Sequence, residues 1–110
     1  MFSPQMKKGS VELLVLSILE EAPLHGYEIG RQIEIRSAGH LQFRISSLYS
    51  VLRRLEKRGA VKGRWVEKAG VRRRRFYRLT TAGQSELSAQ RGSWNEFMLA
   101  VNAVVGWQHA

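Results

Sequence analysis

The chain has 110 residues, with 18 lysines and arginines against nine aspartates and glutamates, giving a formal net charge of +9 and an isoelectric point near 10.9. This length supports one hydrophobic core, and 44% hydrophobic with 25% charged residues is the balance of a globular chain rather than a disordered one. The absence of cysteine excludes disulfides, thiolate nucleophiles and cysteine-ligated zinc together, while the charge excess points to a polyanionic partner, nucleic acid before membrane.

The opening MFSPQMKKGS contains no apolar core followed by a small-residue cleavage site. The longest near-continuous apolar run, Leu13 to Leu19, is far shorter than a bilayer span. A soluble cytoplasmic protein without membrane contact is the expectation. In VELLVLSILEEA, Val11, Leu14, Val15, Ile18 and Leu19 recur at helical spacing, which predicts a helix with one buried face, Ser10 as its N-cap, Glu12 in its first turn and Pro23 beyond its end. A second helix is expected from Gly26 to Ser37 with Tyr27, Ile29 and Ile33 inward, followed by a break at Ala38-Gly39-His40.

The stretch SSLYSVLRRLEKRG opens on serines suited to N-capping. It sets Leu48, Leu52 and Leu55 on one face and reaches Gly59 as a helix stop. VKGRWVE and RRRFYRL, rich in β-branched and aromatic residues, flank Lys68-Ala69-Gly70 and predict an antiparallel hairpin. From Thr81 a long helix runs toward the end of the chain, with Thr81 and Gln84 at the spacing of a capping box. Leu87, Trp94 and Val101 follow one another at heptad spacing, with Phe97, Met98, Val104 and Val105 widening the apolar stripe.

The charge is not spread evenly. From Arg53 to Arg78 there are twelve basic side chains against two acidic ones, while the remainder holds six basic and seven acidic. The whole positive excess therefore falls on the third helix and the hairpin. Three helices, a hairpin and a capped helix form the element order of a winged helix-turn-helix, in which the third helix enters the major groove and the hairpin reaches the adjacent backbone. The expected fold class is mainly α with a small β-hairpin: one domain over 1–110, with a DNA-binding region over 9–80 and a C-terminal helix over 81–107.

HGYEI (His25 to Ile29), SSLYSVLRRLEKRG (Ser46 to Gly59) and RRFYRLTTAG (Arg74 to Gly83) resemble the PadR family of bacterial transcriptional regulators, in the same order and over nearly the whole chain. The family's usual third-helix string has glycine, proline and alanine where this chain has Ser46, Ser50 and Val51, so the base sequence read by other members is not carried over. The resemblance implies a cytoplasmic, nucleoid-associated DNA-binding repressor that dimerises through one C-terminal helix. It also implies an operator as partner, no cofactor, and in some relatives a planar hydrophobic effector.

The candidate DNA contacts are Ser46, Ser47, Tyr49, Ser50, Arg53, Arg54 and Lys57 on the third helix and Arg72, Arg73, Arg74 and Arg75 on the hairpin. Arginine suits both guanine edges and phosphate. Alternation along a strand sets Arg73 and Arg75 on one face and Arg72 and Arg74 on the other, leaving open which face meets DNA. Tyr49 fits either a DNA contact or a cap on the core. Leu87, Trp94, Phe97, Met98, Val101 and Val104 are the candidate dimer interface, and Trp94, Phe97 and Met98 suit either subunit packing or a flat slot for a planar small molecule. His25, His40 and His109 have no metal-ligand spacing, and no nucleophile is paired with a base, so no enzyme is expected. The rival to an operator-binding regulator is a sequence-independent nucleic-acid-binding protein.

Overall fold

The computed structural model describes residues 4–106. Helix α1 spans Pro4–Leu19, β1 Leu24–His25, α2 Gly26–Arg36, α3 Ile45–Lys57, β2 Val61–Lys68, β3 Val71–Leu79 and α4 Thr81–Val105. Val15, Leu16, Ile29, Leu48, Leu52, Leu55 and Leu87 are fully buried in one cluster shared by all four helices, with Val61 and Tyr77 joining it from the strands. Each fully buried aliphatic side chain contributes about 1.5–3 kcal/mol.

Several local details depart from the sequence expectations. The first helix begins at Pro4, upstream of Ser10, so Ser10 lies within it and is not its N-cap. Glu12 is likewise not a first-turn acid; its carboxylate turns toward α3. In α2 the inward positions are Gly26, Ile29 and Ile33, leaving Tyr27 66% exposed. The reason is helical phase, since residues two and six apart do not share a face, while Gly26 takes the inward place beside the Tyr49 ring of α3, where an added Cβ would approach it to 2.9 Å. Helix α3 starts one turn position earlier than its serines suggest, with Arg44 as N-cap and no side-chain cap.

The stop at Gly59 is as expected. Gly59 takes φ +80°, its N–H donates to the Glu56 carbonyl, and the Ala60 N–H donates to that of Leu55, the paired bonds of a Schellman close. Lys68 pairs with Val71 across Ala69-Gly70, where Gly70 has φ +74°, so the hairpin also forms where the sequence sets it. The two-residue strand β1 was not anticipated. It adds to the other edge of β3 through Leu24 opposite Tyr77 and His25 opposite Phe76, giving the antiparallel order β1-β3-β2.

The last helix is capped by Thr80, not by a Thr81 capping box. Thr80 has extended backbone, its hydroxyl accepts from the Gly83 N–H at 3.0 Å, and Gln84 reaches away to Glu20. The same hydroxyl donates to the Gly59 carbonyl at 2.6 Å. The end of α3 and the start of α4 thus meet at one side chain. Leu87 is fully buried within the chain's own core, which removes it from the exposed stripe. Beyond it α4 projects, and the molecule measures 55 × 29 × 25 Å.

Candidate nucleic-acid interface

Along α3 the apolar positions Leu48, Val51, Leu52 and Leu55 are buried, and this fixes which side chains point outward. Ser46, Ser47, Arg53 and Lys57 are exposed, and Ser50 is half-buried with Arg53 Nη2 3.4 Å from its hydroxyl. Tyr49 takes the core-side position that one of its two readings gave it. Its ring packs on Gly26 beside the core, and its edge lines a concave surface of about 650 Å³ between α3, the start of α2 and the wing.

Arg54 belongs to a different surface. Its guanidinium lies 3.6 Å from Glu12 of α1. Arg58 also turns that way, donating to Glu12 at 2.7 Å and to Glu86 of α4. The Arg58 guanidinium holds the Glu12 carboxyl below its ordinary pKa, against the opposing effect of burial. With Glu20 accepting from Arg91 at 2.9 Å, these pairs fasten α1, α3 and α4 together on the side away from the wing.

Strand register divides the hairpin into two faces. Trp65 opposite Arg75 and Gly63 opposite Tyr77 lie on the inner face, toward α3; Lys62 opposite Arg78, Arg64 opposite Phe76 and Val66 opposite Arg74 lie on the outer face. On the inner face Arg75 is half-buried, donates to Glu56 of α3 at 2.6 Å and sits over the rings of Trp65 and Tyr77. Gly63 is needed there, since a Cβ would fall 2.5 Å from Arg75 Nε. Its N–H also donates to Glu56, at 3.1 Å. Arg73 lies 4.4 Å above the Trp65 ring and pairs with Glu67 at 3.4 Å in solvent.

Of the four consecutive arginines, then, the structure gives Arg75 an internal partner and leaves Arg72 and Arg74 exposed. Arg74 Nη1 approaches His25 Nε2 at 2.9 Å. Burial, assisted by the Arg74 charge, lowers the pKa of that imidazole, so it serves as a neutral acceptor at the N-cap of α2. The residues that sequence reasoning missed are Trp65, Glu56 and Arg58. Trp65 carried a signal, an aromatic at a strand position opposite the arginine run. Glu56 and Arg58 carried none, because their partners are far away in sequence.

On α4, Trp94 and Phe97 stand with ring centroids 6.1 Å apart at 42°. They, Leu99, Val104 and Val105 are between 44% and 87% exposed, with Met98 and Val101 half-buried beside them. Among the described residues no group of three or more His, Cys, Asp or Glu is placed to hold a metal, and no helix is long and apolar enough to cross a membrane.

A three-helix core, an outward cationic third helix, a β-hairpin wing and a trailing helix define a winged helix-turn-helix DNA-binding protein. The family model of the transcriptional regulator PadR-like family matches residues 15–89, and the chain belongs to that family. It is similar to a transcriptional regulator from Clostridium thermocellum, at 30% identity and TM-score 0.86, covering 94% of this chain and 97% of that one. A PadR family transcriptional regulator from Eggerthella lenta matches at 27% identity and TM-score 0.80, over 92% of this chain and 86% of its own. The structure of Bacillus subtilis PadR in complex with operator DNA shares the fold at 22% identity and TM-score 0.66, over 73% of this chain and 45% of that one.

Proposed function

We propose that this DNA-binding regulator acts as a homodimeric repressor on a pseudo-palindromic operator. The observation that carries the reading is the separation of two surfaces on one chain: the positive excess lies on α3 and the wing, and the exposed apolar stripe lies on the projecting half of α4. Two copies joined along Trp94, Phe97, Met98, Val101 and Val104 bury that stripe and direct two α3 helices at half-sites one turn, about 34 Å, apart.

In each half-site Ser46, Ser47, Ser50, Arg53 and Lys57 face the major groove, with Tyr49 at the rear of the cleft. Arg72, Arg73 and Arg74 hold phosphate from the wing. Arg54 and Arg75 support these elements through carboxylates of the same chain. Repression is by occupancy in the cytoplasm, at the nucleoid. Release follows a signal, such as a planar hydrophobic molecule seated between the Trp94 and Phe97 pairs, that favours a different angle between protomers; it acts only through unequal affinity for the two arrangements.

A gel shift at fixed salt, comparing DNA from upstream of the protein's own gene with a scrambled duplex, tests the reading. A preference of about 10³-fold or more is expected. Equal affinity would replace the operator reading by sequence-independent binding.

A further inference from the structure

The inner face of the hairpin has its charge partly answered, by Glu56 on Arg75 and Glu67 on Arg73. The outer face has no such carboxylate partners; Arg74, which the register also sets there, turns its guanidinium to His25 at the concave side. Lys62, Arg64 and Arg78 are exposed around the half-buried pair Val66 and Phe76, with Pro23 at one end of the shallow depression they form. None of the three makes an ion pair or a side-chain hydrogen bond among the described residues. Glu20 and Glu21, which share a neighbouring depression with Pro23 and Arg78, are already engaged, Glu20 by Arg91 and Gln84 and Glu21 by Arg36.

Three uncompensated cations on a sheet face repel one another, and a polyanion relieves that repulsion. The concave surface between α3 and the inner face cannot bring a straight duplex to these residues, because the sheet lies between. The outer face is reached over β2, which is the open edge of the sheet in the order β1-β3-β2. Resting on the DNA-binding reading, we propose that the outer face of the wing, through Lys62, Arg64 and Arg78, is a second phosphate-binding surface that takes DNA flanking the half-site on the same duplex. The flank curves over the β2 edge. Charge neutralisation on one side of the duplex offsets the elastic cost of that curvature.

The test uses the full chain and four duplexes: an operator core selected from randomised DNA, about 20 base pairs long, and its scrambled counterpart, each alone and with about 10 base pairs added on both sides. The long duplexes should give a log K against log salt slope steeper by about 2 or more, equivalent to at least one extra phosphate contact on each of two protomers at about 0.9 apiece. A mere increase in the number of binding positions raises affinity without changing the slope. The variant carrying Lys62→Gln, Arg64→Gln and Arg78→Gln should lose the added slope and keep the wild-type affinity for the short core, which also shows that it is folded.

A slope independent of length overturns the proposal. So does added slope that survives in the variant, or an equal loss on short and long duplexes. Bridging of two differently labelled duplexes by one complex replaces it with a second-duplex surface. Operator against scrambled core is a separate comparison within the same set, so loss of sequence preference removes the operator reading while length dependence still decides the flank.

Discussion

Glu56, on the last turn of α3, receives the Arg75 guanidinium from the wing at 2.6 Å. The same carboxylate oxygen accepts the Gly63 N–H from the neighbouring strand at 3.1 Å. One acidic side chain in the most basic stretch of the protein therefore ties both wing strands to α3. Of the four arginines, Arg75, nearest the core, is engaged in the wing's own support, while Arg72, Arg73 and Arg74 are exposed toward the tip.

Arg75→Ala and Arg72→Ala should accordingly separate. Arg72→Ala flattens the log K against log salt slope by about 0.9 per protomer and leaves thermal stability unchanged. Arg75→Ala leaves the slope within error of wild type and lowers the melting temperature. Glu56→Ala, which also strips the Gly63 N–H of its acceptor, costs about 1–3 kcal/mol. A flattened slope with unchanged stability in Arg75→Ala would contradict its assignment as a strut.

The Glu12–Arg58 contact predicts an acid limb to the stability curve. The Arg58 side chain lowers the folded-state pKa of Glu12 from its ordinary value of 4.5. Its contribution is therefore present above that value and is lost as pH falls through the depressed folded pKa. Urea midpoints measured from pH 7 downward should decline below about 4.5, and more shallowly in Arg58→Gln. An identical acid decline in the variant would show that other carboxylates govern it.

At the start of α4, Gly83→Ala sets two effects against each other. Alanine gains about 1 kcal/mol of helix propensity over glycine, yet a Cβ at this position overlaps the carbonyl oxygen of Ala60 and approaches a Leu79 methyl at 2.9 Å. Backbone cannot give way as a flexible side chain can, so steric overlap wins. The expected net loss is about 2 kcal/mol, read in calorimetry as a melting temperature lower by about 10 °C. An unchanged or raised melting temperature would mean the helix start can shift.

For the apolar half of α4, Trp94→Asp should give monomers in sedimentation at micromolar protein, with a wild-type circular dichroism spectrum, because Trp94 is 44% exposed and outside the buried core. Operator affinity then falls, since each half-site is bound independently. A dimer that survives this substitution would move the seam elsewhere on the helix.

The features legible in the sequence are those written locally. Leu48, Leu52 and Leu55 announce their helix by spacing, and Gly59 and Gly70 mark a helix stop and a turn through the left-handed backbone each adopts. The fold class and the family resemblance agree with the structure and with the family model for that reason. What was not legible depends on partners distant along the chain. Tyr27 was expected inward with Ile29 and Ile33, but spacings of two and six residues set it on the other side of the helix, and Gly26 takes the inward place against Tyr49. Leu87 fits the heptad with Trp94, yet it lies close enough to the start of α4 to be enclosed by the chain's own core. Thr80 and Thr81 are equal as capping residues by type; only the extended backbone at Thr80 distinguishes them. Nothing in the sequence pairs Arg54 and Arg75 with their carboxylates, Glu12 and Glu56, which only the fold brings to them.

The Thr80 hydroxyl, held between the Gly59 carbonyl and the Gly83 N–H, has a consequence for control. With the Ala60 carbonyl pressed against Gly83 and Arg58 clamped to Glu86, the joint between α3 and the projecting α4 is held by three separate contacts. On the proposed homodimeric reading, each protomer would turn as one lever whose short end is the wing and α3 and whose long end is the outer half of α4. A rotation at the far end would then change the spacing of the two α3 helices. A ligand at the α4 stripe would act in that way without touching α3 or the wing.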